Sequence, residues 1–255
     1  MTNLIRAELY KLSRNKTFWV LVASVTGLSA LLHCLILMDW WLLTGTDFDK
    51  AGLSEFNALS PFSIPLFFNF FVSTLAGFYI STEFTQNGVI KNQMLSGNKR
   101  STIFIAKYLV FTLGAFIVTI LIALITAITM VLLFGHGDII SLPNLMYLGR
   151  AYSLFALHFL SFTAIVSLIA IAAEDSGKTI IFTLLLVVMM FAIEKLITAP
   201  LIQIVYENTF FSQFSEAFRY TLTKAEMIKS ILIGVVSFFV IILCGVFMIN
   251  RKEIK

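Results

Sequence analysis

Six long apolar runs constrain the fold of this 255-residue chain more than any other feature. A helix needs about 20 mostly apolar residues to cross the roughly 30 Å hydrocarbon core of a bilayer. Because 59% of the residues are hydrophobic and only 13% are charged, a soluble core of this length could not bury the apolar surface. The sequence therefore predicts an all-α, polytopic membrane protein that forms a single domain over residues 1–255. Its six spans are predicted at residues 17–38, 61–82, 108–134, 148–173, 179–199 and 228–250.

The distribution of basic residues predicts the orientation of the chain in the membrane. Six spans place both termini on one side, and 12 of the 18 Lys and Arg residues fall on that side. By the positive-inside rule this side is cytoplasmic, so the net charge of +4 gives no reason to expect a nucleic-acid partner. The first run is too long for a signal peptide, and no small-residue cleavage site follows it. We therefore expect a multi-pass protein of the cell membrane with both termini in the cytoplasm.

The first residues, 3–14, predict a short amphipathic helix on the inner face of the membrane. Glu8 interrupts its apolar arc, and Arg6 and Lys11 would contact anionic lipid headgroups. A basic topology anchor without further function is the alternative. The apolar arc consists of Leu4, Ile5, Leu9 and Leu12.

The connection between the second and third spans predicts a docking element. Asn87-Gly88 is a turn pair, and Gly97 suits a helix C-terminus that needs a positive φ. About two turns of helix between them would carry a small apolar stripe and leave three polar residues facing elsewhere. Such a helix could dock a cytosolic partner, and a solvated basic loop is the alternative. The stripe is Val89, Ile90 and Met94, and the polar residues are Lys91, Asn92 and Gln93.

The segment between the fifth and sixth spans predicts an outer amphipathic helix that rests in the membrane interface or dips back into it. Four phenylalanines fall within about 100° of helical arc, and Gln213, Glu216 and Arg219 lie outside that arc. The segment is interpreted as a structural lid or as a hydrophobic exit surface for an amphipathic substrate. The four phenylalanines are Phe210, Phe211, Phe214 and Phe218.

No motif in the sequence indicates an enzyme, a metal site or a bound cofactor. Residues 172–179 fit a relaxed phosphate-loop pattern, but such a loop works between a strand and a helix, whereas this one joins two spans. His158 is the ionisable residue nearest the middle of a span, and it is either part of a substrate path or a packed, hydrogen-bonded residue. Since nothing else offers a polar path, transport would be powered from outside the chain.

These features together resemble the ABC-2 type permease subunits of bacterial ABC transporters over essentially the whole chain. The likeness begins with Arg6, Glu8 and Lys11 near the start and continues with Glu83 at the end of the second span. An outer helical segment and a short basic tail complete it. The other matching residues are Gly88, Val89, Ile90, Lys91, Asn92, Leu95, Ser96, Gly97, Arg100 and Lys107.

The resemblance implies a role for each of these segments. Residues 3–14 would be an interfacial elbow helix with Arg6, Glu8 and Lys11, and residues 200–220 would be an outer re-entrant region. Residues 83–100 would hold a coupling helix that docks on a separate ATPase. The docking residues would be Glu83, Gly88, Val89, Ile90, Lys91, Asn92, Met94 and Arg100.

The resemblance also implies partners and a substrate class. A second permease, as an identical copy or a paralogue, would pair with this chain in the lipid bilayer, and two ATPase subunits would bind the ATP and Mg²⁺. The chain is similar to small permeases of Gram-positive bacteria that export antimicrobial or cytolytic peptides or confer immunity to them, as in phenol-soluble-modulin and lantibiotic systems. Export of drugs, lipids or sodium is the alternative within the family. An ATP-independent channel or secondary transporter, or a membrane sensor scaffold, are the alternatives of another class.

Overall fold

The computed structural model describes residues 1–85, 89–139, 141–197 and 199–252, and these contain helices and no strands. Six helices in this part of the chain are long and apolar enough to cross a membrane, which confirms the all-α class and the six spans. They are α2, α3, α5, α6, α7 and α10 in the numbering used below. In chain order the numbered helices are α1 (Thr2–Arg14), α2 (Lys16–Leu37), α3 (Pro65–Phe84), α4 (Val89–Leu95), α5 (Arg100–Leu133), α6 (Leu142–Ala173), α7 (Ser176–Leu196), α8 (Pro200–Glu207), α9 (Gln213–Ala217) and α10 (Lys224–Arg251). Short helical turns at Asp47–Lys50, Ser54–Leu59, Ser60–Ser63 and Gly137–Ile139 lie in the connections.

Several helices begin at residues other than the predicted ends of the spans. α5, α6 and α10 start four to eight residues earlier than predicted, because an apolar run marks only the part suited to lipid. At α10 the helix continues into polar sequence because its end is capped. Thr223 and Glu226 form such a cap at α10, where each side chain binds the backbone of the other. α3 starts later than predicted, because Ile64 precedes Pro65 and is held in an extended conformation.

The two ends of the bundle differ in what they hold. We call the end at which α2 begins and α10 finishes the terminal end; it holds α1, α4 and the tight turn between α6 and α7. We call the other end the distal end; it holds the connections α2–α3, α5–α6 and α7–α10. In the tight turn, Glu174 adopts a positive φ and the Asp175 side chain caps α7 by accepting from the backbone N–H of Lys178 at 2.8 Å. Residues 172–179, which fit a relaxed phosphate-loop pattern, therefore contain a turn between two helices.

The core of the distal half is aromatic and centres on α6. The ring centre of Phe68 on α3 lies 5.0–5.7 Å from those of four other phenylalanines, mostly at steep interplanar angles. Three of these belong to α6 and the fourth to α9, so the α7–α10 connection folds onto the bundle. The four are Phe155, Phe159, Phe162 and Phe214.

Candidate functional site: a buried charge cluster at the terminal end

The buried face of α1 has a carboxylate at its centre. Leu4, Glu8 and Leu12 are spaced by four residues, so they lie on one side of the helix and face the bundle. Glu8 is 0% exposed, whereas Leu9, which the sequence placed on the apolar arc, is 38% exposed. The residue that interrupts the predicted arc is thus the one that α1 buries most completely.

Two lysines each form ion pairs with Glu8 and with a second carboxylate, that of Glu83. The Lys107 Nζ on α5 lies 3.0 Å from Oε1 and 3.1 Å from Oε2 of Glu8, and it also forms an ion pair with Glu83 at the end of α3. The Lys11 Nζ lies 3.0 Å from Glu8 Oε1 and 3.1 Å from Glu83 Oε1. The two carboxylates and two ammonium groups balance in charge. We call Glu8, Lys11, Glu83 and Lys107 the charge cluster.

Neutral side chains complete the hydrogen bonds of Glu8. The Tyr79 hydroxyl of α3 donates to Oε2 at 2.9 Å, and the Gln93 side-chain amide of α4 donates to Oε1 at 2.8 Å. The predicted outward position of Gln93 is therefore wrong. Gln93 lies three residues after Ile90, which is buried, so the two residues share the inner face of this short helix.

The helix α4 presents a small exposed face beside the charge cluster. Ile90 is only 2% exposed and packs with Leu4 of α1 and with Ile103 and Ala106 of α5, while Met94 contacts the same group. The residues left on the outer face are Lys91, Asn92 and Leu95, and Leu95 is 78% exposed.

The end of α4 has the geometry predicted for Gly97. Its φ is +83°, which confirms the expected positive value. The Gly97 N–H donates to the carbonyl of Met94 at 2.9 Å, and the Asn98 N–H donates to that of Gln93 at 3.4 Å. This arrangement stops the helix after two turns, so Leu95 projects at its end.

The remaining predicted docking and elbow residues lie outside the charge cluster. Arg6 is exposed on α1, and Val89 is half-buried at the start of α4. Arg100 donates to the backbone carbonyls of Asn250 at 3.1 Å and Lys252 at 2.6 Å, so it connects the start of α5 to the end of α10. Gly88 lies outside the described residues.

The cluster shifts the pKa values of its two members on α1 in opposite directions. Burial alone would raise the pKa of Glu8, but the ammonium groups of Lys107 and Lys11 outweigh it and hold this pKa below its ordinary value. Burial alone would lower the pKa of Lys11, but the carboxylates of Glu83 and Glu8 raise it above its ordinary value. Both residues are therefore held in their charged forms.

These shifts predict a loss of stability at both ends of the pH range. Glu8 stabilises the folded chain above its ordinary pKa of 4.5, and this contribution is lost as the pH falls through the lower folded-state value. Lys11 stabilises it below its ordinary pKa of 10.5, and this contribution is lost as the pH rises through the higher folded-state value. We expect Glu8→Gln to flatten the acid side of a plot of Tm against pH for the purified protein. An acid side as steep as that of the wild type would contradict this assignment.

The phenylalanines predicted on an outer helix lie inside the fold. All four are at most 6% exposed, and they pack on each other and on the aromatic core. Gln213, predicted outside the apolar arc, is also buried, because α9 spans only five residues and the Gln213 side chain donates back to the carbonyl of Glu207 at 3.2 Å. This packing fits the structural-lid interpretation better than an exposed exit surface.

His158 has the geometry of a packed, hydrogen-bonded residue. It is 0% exposed, and its Nε2 lies 2.9 Å from the Ser230 hydroxyl of α10. His158 lies on α6, away from the charge cluster. The structure therefore does not bring it together with the predicted docking residues.

Sequence reasoning missed Tyr79 and Gln93, and it did not place Lys107 among the site residues. Tyr79 and Gln93 carry no charge and have no motif around them, so no signal in the sequence could have found them. Lys107 offers one: it stands at the start of a long apolar run, where an unpaired charge would be costly. A search for an acidic partner for Lys107 would have led to Glu83 or Glu8.

Comparison with known protein families identifies the class of the chain. The family described as "ABC-2 family transporter protein" matches residues 4–190, which include all of the charge cluster and five of the six long apolar helices for all or most of their length. Comparison with curated proteins and with solved structures gave no match. The family match covers well over half of the sequence, and members of this family are transmembrane subunits that are not themselves the ATPase. The chain therefore belongs to the ABC-2 transporter family and is a multi-pass membrane protein.

Proposed function

We propose that this chain is the permease subunit of an ATP-driven exporter in the cell membrane, with both termini in the cytoplasm. A second permease and two separate ATPase subunits would complete the transporter. The observation that carries the proposal is the charge cluster, because it binds the membrane helices α3 and α5 and is joined to the short helix α4 by Gln93. A force applied to α4 reaches Glu8 through Gln93, and from Glu8 it reaches α5 through Lys107 and α3 through Tyr79.

The balance of charges in the cluster supports this mechanical role. Exposed ion pairs contribute little and exchange partners readily, but a buried and fully hydrogen-bonded set keeps one geometry. Glu8 is 0% exposed and Lys107 is 2% exposed, so α1 and α5 are joined by a contact that water does not loosen. A displacement of α4 would therefore move α1, α3 and α5 together rather than bend α4 alone.

The exposed face of α4 is the proposed docking surface for the ATPase. Leu95 projects into solvent at 78% exposure at the end of the helix, and Lys91 lies on the same outer face. An apolar side chain beside polar and charged ones is the usual arrangement of a small protein interface. Ile90 and Met94 would act from the inner side, by holding α4 against α1 and α5.

We further propose that the substrate is an amphipathic peptide, of the antimicrobial or cytolytic kind that Gram-positive bacteria export or defend against. The support is chemical. The distal half of the bundle is lined with aromatic side chains, and a mainly apolar cavity of about 450 Å³ lies among them. Transport assays with purified protein would compare such peptides with drugs, lipids and sodium.

Leu95→Asp tests the docking surface directly. Tagged protein would be purified gently from its native host, and the ABC-type ATPase that accompanies it would be quantified by mass spectrometry. We expect at least a tenfold lower ATPase yield, because the substitution places a charge in the centre of the contact and leaves the fold of the exposed site unchanged.

Leu42→Asp is the matched control, since Leu42 is 73% exposed in the α2–α3 connection at the distal end. It should leave the ATPase yield unchanged. A normal yield with Leu95→Asp, or an equal loss with Leu42→Asp, would contradict the docking assignment. Substrate flux in liposomes without any ATPase would contradict the wider proposal and favour a channel or secondary transporter.

A further inference from the structure

The apolar cavity at the distal end lies between the α2–α3 connection, the start of α3, α7 and the segment that contains α9. Its volume of about 450 Å³ lies within the range of sites that bind small organic molecules. Aromatic and aliphatic side chains form most of its wall. Its charged residues form two ion pairs, Asp47 with Lys50 at 3.2 Å and Glu194 with Lys195 at 2.5 Å. The apolar lining includes Phe48, Leu66, Met190, Phe191, Phe214 and Phe218.

A second cavity lies directly beside it and is polar. Its volume is about 510 Å³, and α7, α8, α9 and the start of α10 form its wall. Its described lining has four carboxylates and two cationic side chains, Arg219 and Lys229. Because Lys195 binds Glu194 from the apolar cavity, the polar cavity has a surplus of one negative charge. The carboxylates are those of Glu194, Glu207, Glu216 and Glu226.

The positive charge of Arg219 is already neutralised. Arg219 Nη1 lies 2.9 Å from a carboxylate oxygen of Glu216, and the same guanidinium is paired with Glu226. No ion pair is recorded for Glu207 within the described part of the chain, and its side chain is exposed in the cavity. Glu207 is therefore the carboxylate best placed to bind a cation from outside the protein.

The two cavities share one wall, formed by Glu194, Tyr206 and Ser215. The Tyr206 hydroxyl donates to Glu194 Oε2 at 2.8 Å, and this pair closes the boundary between apolar and polar space. Ser230, which lines the polar cavity, is the hydrogen-bond partner of His158. His158 therefore does not line the polar cavity itself but is hydrogen-bonded to a residue that does.

We propose that the two cavities form one binding site for an amphipathic cation, with its apolar group in the apolar cavity and its ammonium or guanidinium group beside Glu207. The aromatic lining suits the apolar group, and the carboxylate of Glu207 selects the positive charge. Binding of the cation needs neither the ATPase nor ATP. Only the further claim that this cation is a transported substrate rests on the proposed function.

Dansylcadaverine tests the site, because it joins one aromatic group to one primary ammonium group and its fluorescence rises in apolar surroundings. Its N-acetyl derivative keeps the aromatic group and loses the charge. Both would be titrated into the full chain in nanodiscs without ATPase, with empty nanodiscs as the background. We expect saturable binding, with the cation at least fivefold tighter than the neutral derivative. Equal affinities, or no signal above that of the empty nanodiscs, would overturn the proposal.

Two variants separate the two parts of the site. Met190→Trp should fill the apolar cavity and weaken both probes at least fivefold, whereas Glu207→Gln should weaken only the cationic probe, about fivefold. Glu55→Gln is the control, since Glu55 lies at the same end of the bundle and lines neither cavity. Unchanged binding by Glu207→Gln, whose exposed site does not endanger folding, or an equal loss with Glu55→Gln, would overturn the proposal.

The same preparations distinguish failure of the site from failure of the proposed function. If the ATPase co-purifies with the wild-type chain but dansylcadaverine does not bind, the binding site is wrong and the permease role stands. If the cation binds as expected but no ATPase accompanies the chain, the site stands and the source of power is wrong.

Discussion

Lys107→Met is expected to lower the free energy of unfolding by about 3–5 kcal/mol, because it leaves an unbalanced negative charge in a buried site. Lys107 is 2% exposed and contacts both Glu8 and Glu83, so neither water nor another cation can replace it without a rearrangement of α1. Methionine keeps most of the volume, so the loss reports charge rather than packing. The measurement is the denaturant-induced unfolding of the purified protein in detergent.

A double-mutant cycle with Glu8→Gln shows whether the charges act as a set. Glu8→Gln together with Lys107→Met removes one charge of each sign and leaves Lys11 paired with Glu83 at 3.1 Å. The double variant should be more stable than Lys107→Met alone. Lys50→Met is the control, since Lys50 is 64% exposed and its pair with Asp47 should contribute under about 1 kcal/mol. Additive losses in the cycle would show that Glu8 and Lys107 do not depend on each other.

Gly77→Val is expected to cost about 2–3 kcal/mol, because α3 and α7 approach each other closely at this residue. A Cβ on Gly77 would lie 3.0 Å from the backbone oxygen and 3.2 Å from the Cα of Ser176, and backbone atoms yield less readily than the end of a side chain. The Ser176 hydroxyl also donates to the Gly77 carbonyl at 2.9 Å, and separation of the helices would break this bond.

Gly27→Val provides the comparison for this glycine. Gly27 lies inside α2, and no atom of the described residues lies within 4 Å of an added Cβ, so the same substitution should change Tm by far less there. Thermal unfolding of both variants in one detergent separates steric overlap from the intrinsic effect of valine in a helix. Equal losses at the two positions would mean that the contact between Gly77 and Ser176 does not stabilise the bundle.

The sequence predicts the bundle well because span length is a local property. About 20 apolar residues suffice to indicate a membrane helix. The positive φ of Gly97 could likewise be predicted from the residue type alone. The charge cluster could not be predicted in the same way. In the sequence Glu8 is only a charged residue within an apolar arc. Its role becomes visible when the fold places Lys107, 99 residues later, beside it.

The distal segment was predicted incompletely for a related reason. An arc of four phenylalanines predicts that one face is apolar, but not whether that face meets lipid or protein. Phe214 contacts Phe68 and Phe155 from distant parts of the sequence, and these tertiary contacts turn the arc into the core. Helical periodicity therefore predicts which residues form an apolar face, but not whether that face contacts lipid or protein.

The structure also changes which residue on α4 best reports docking. Ile90 belongs to the predicted apolar stripe, but at 2% exposure it holds α4 to the bundle, so Ile90→Asp would disturb the fold and the docking surface together. Leu95 is exposed and leaves the packing intact when it is changed. A loss of ATPase association with Leu95→Asp can therefore be assigned to the interface.

The most direct test of the central claim is to purify the tagged wild-type chain gently from its native host and identify its partners by mass spectrometry. An ABC-type ATPase in stoichiometric amount is the predicted result, and the same sample would show whether a second permease pairs with this one. Purification of the chain alone, together with substrate flux in liposomes without ATP, would contradict the account.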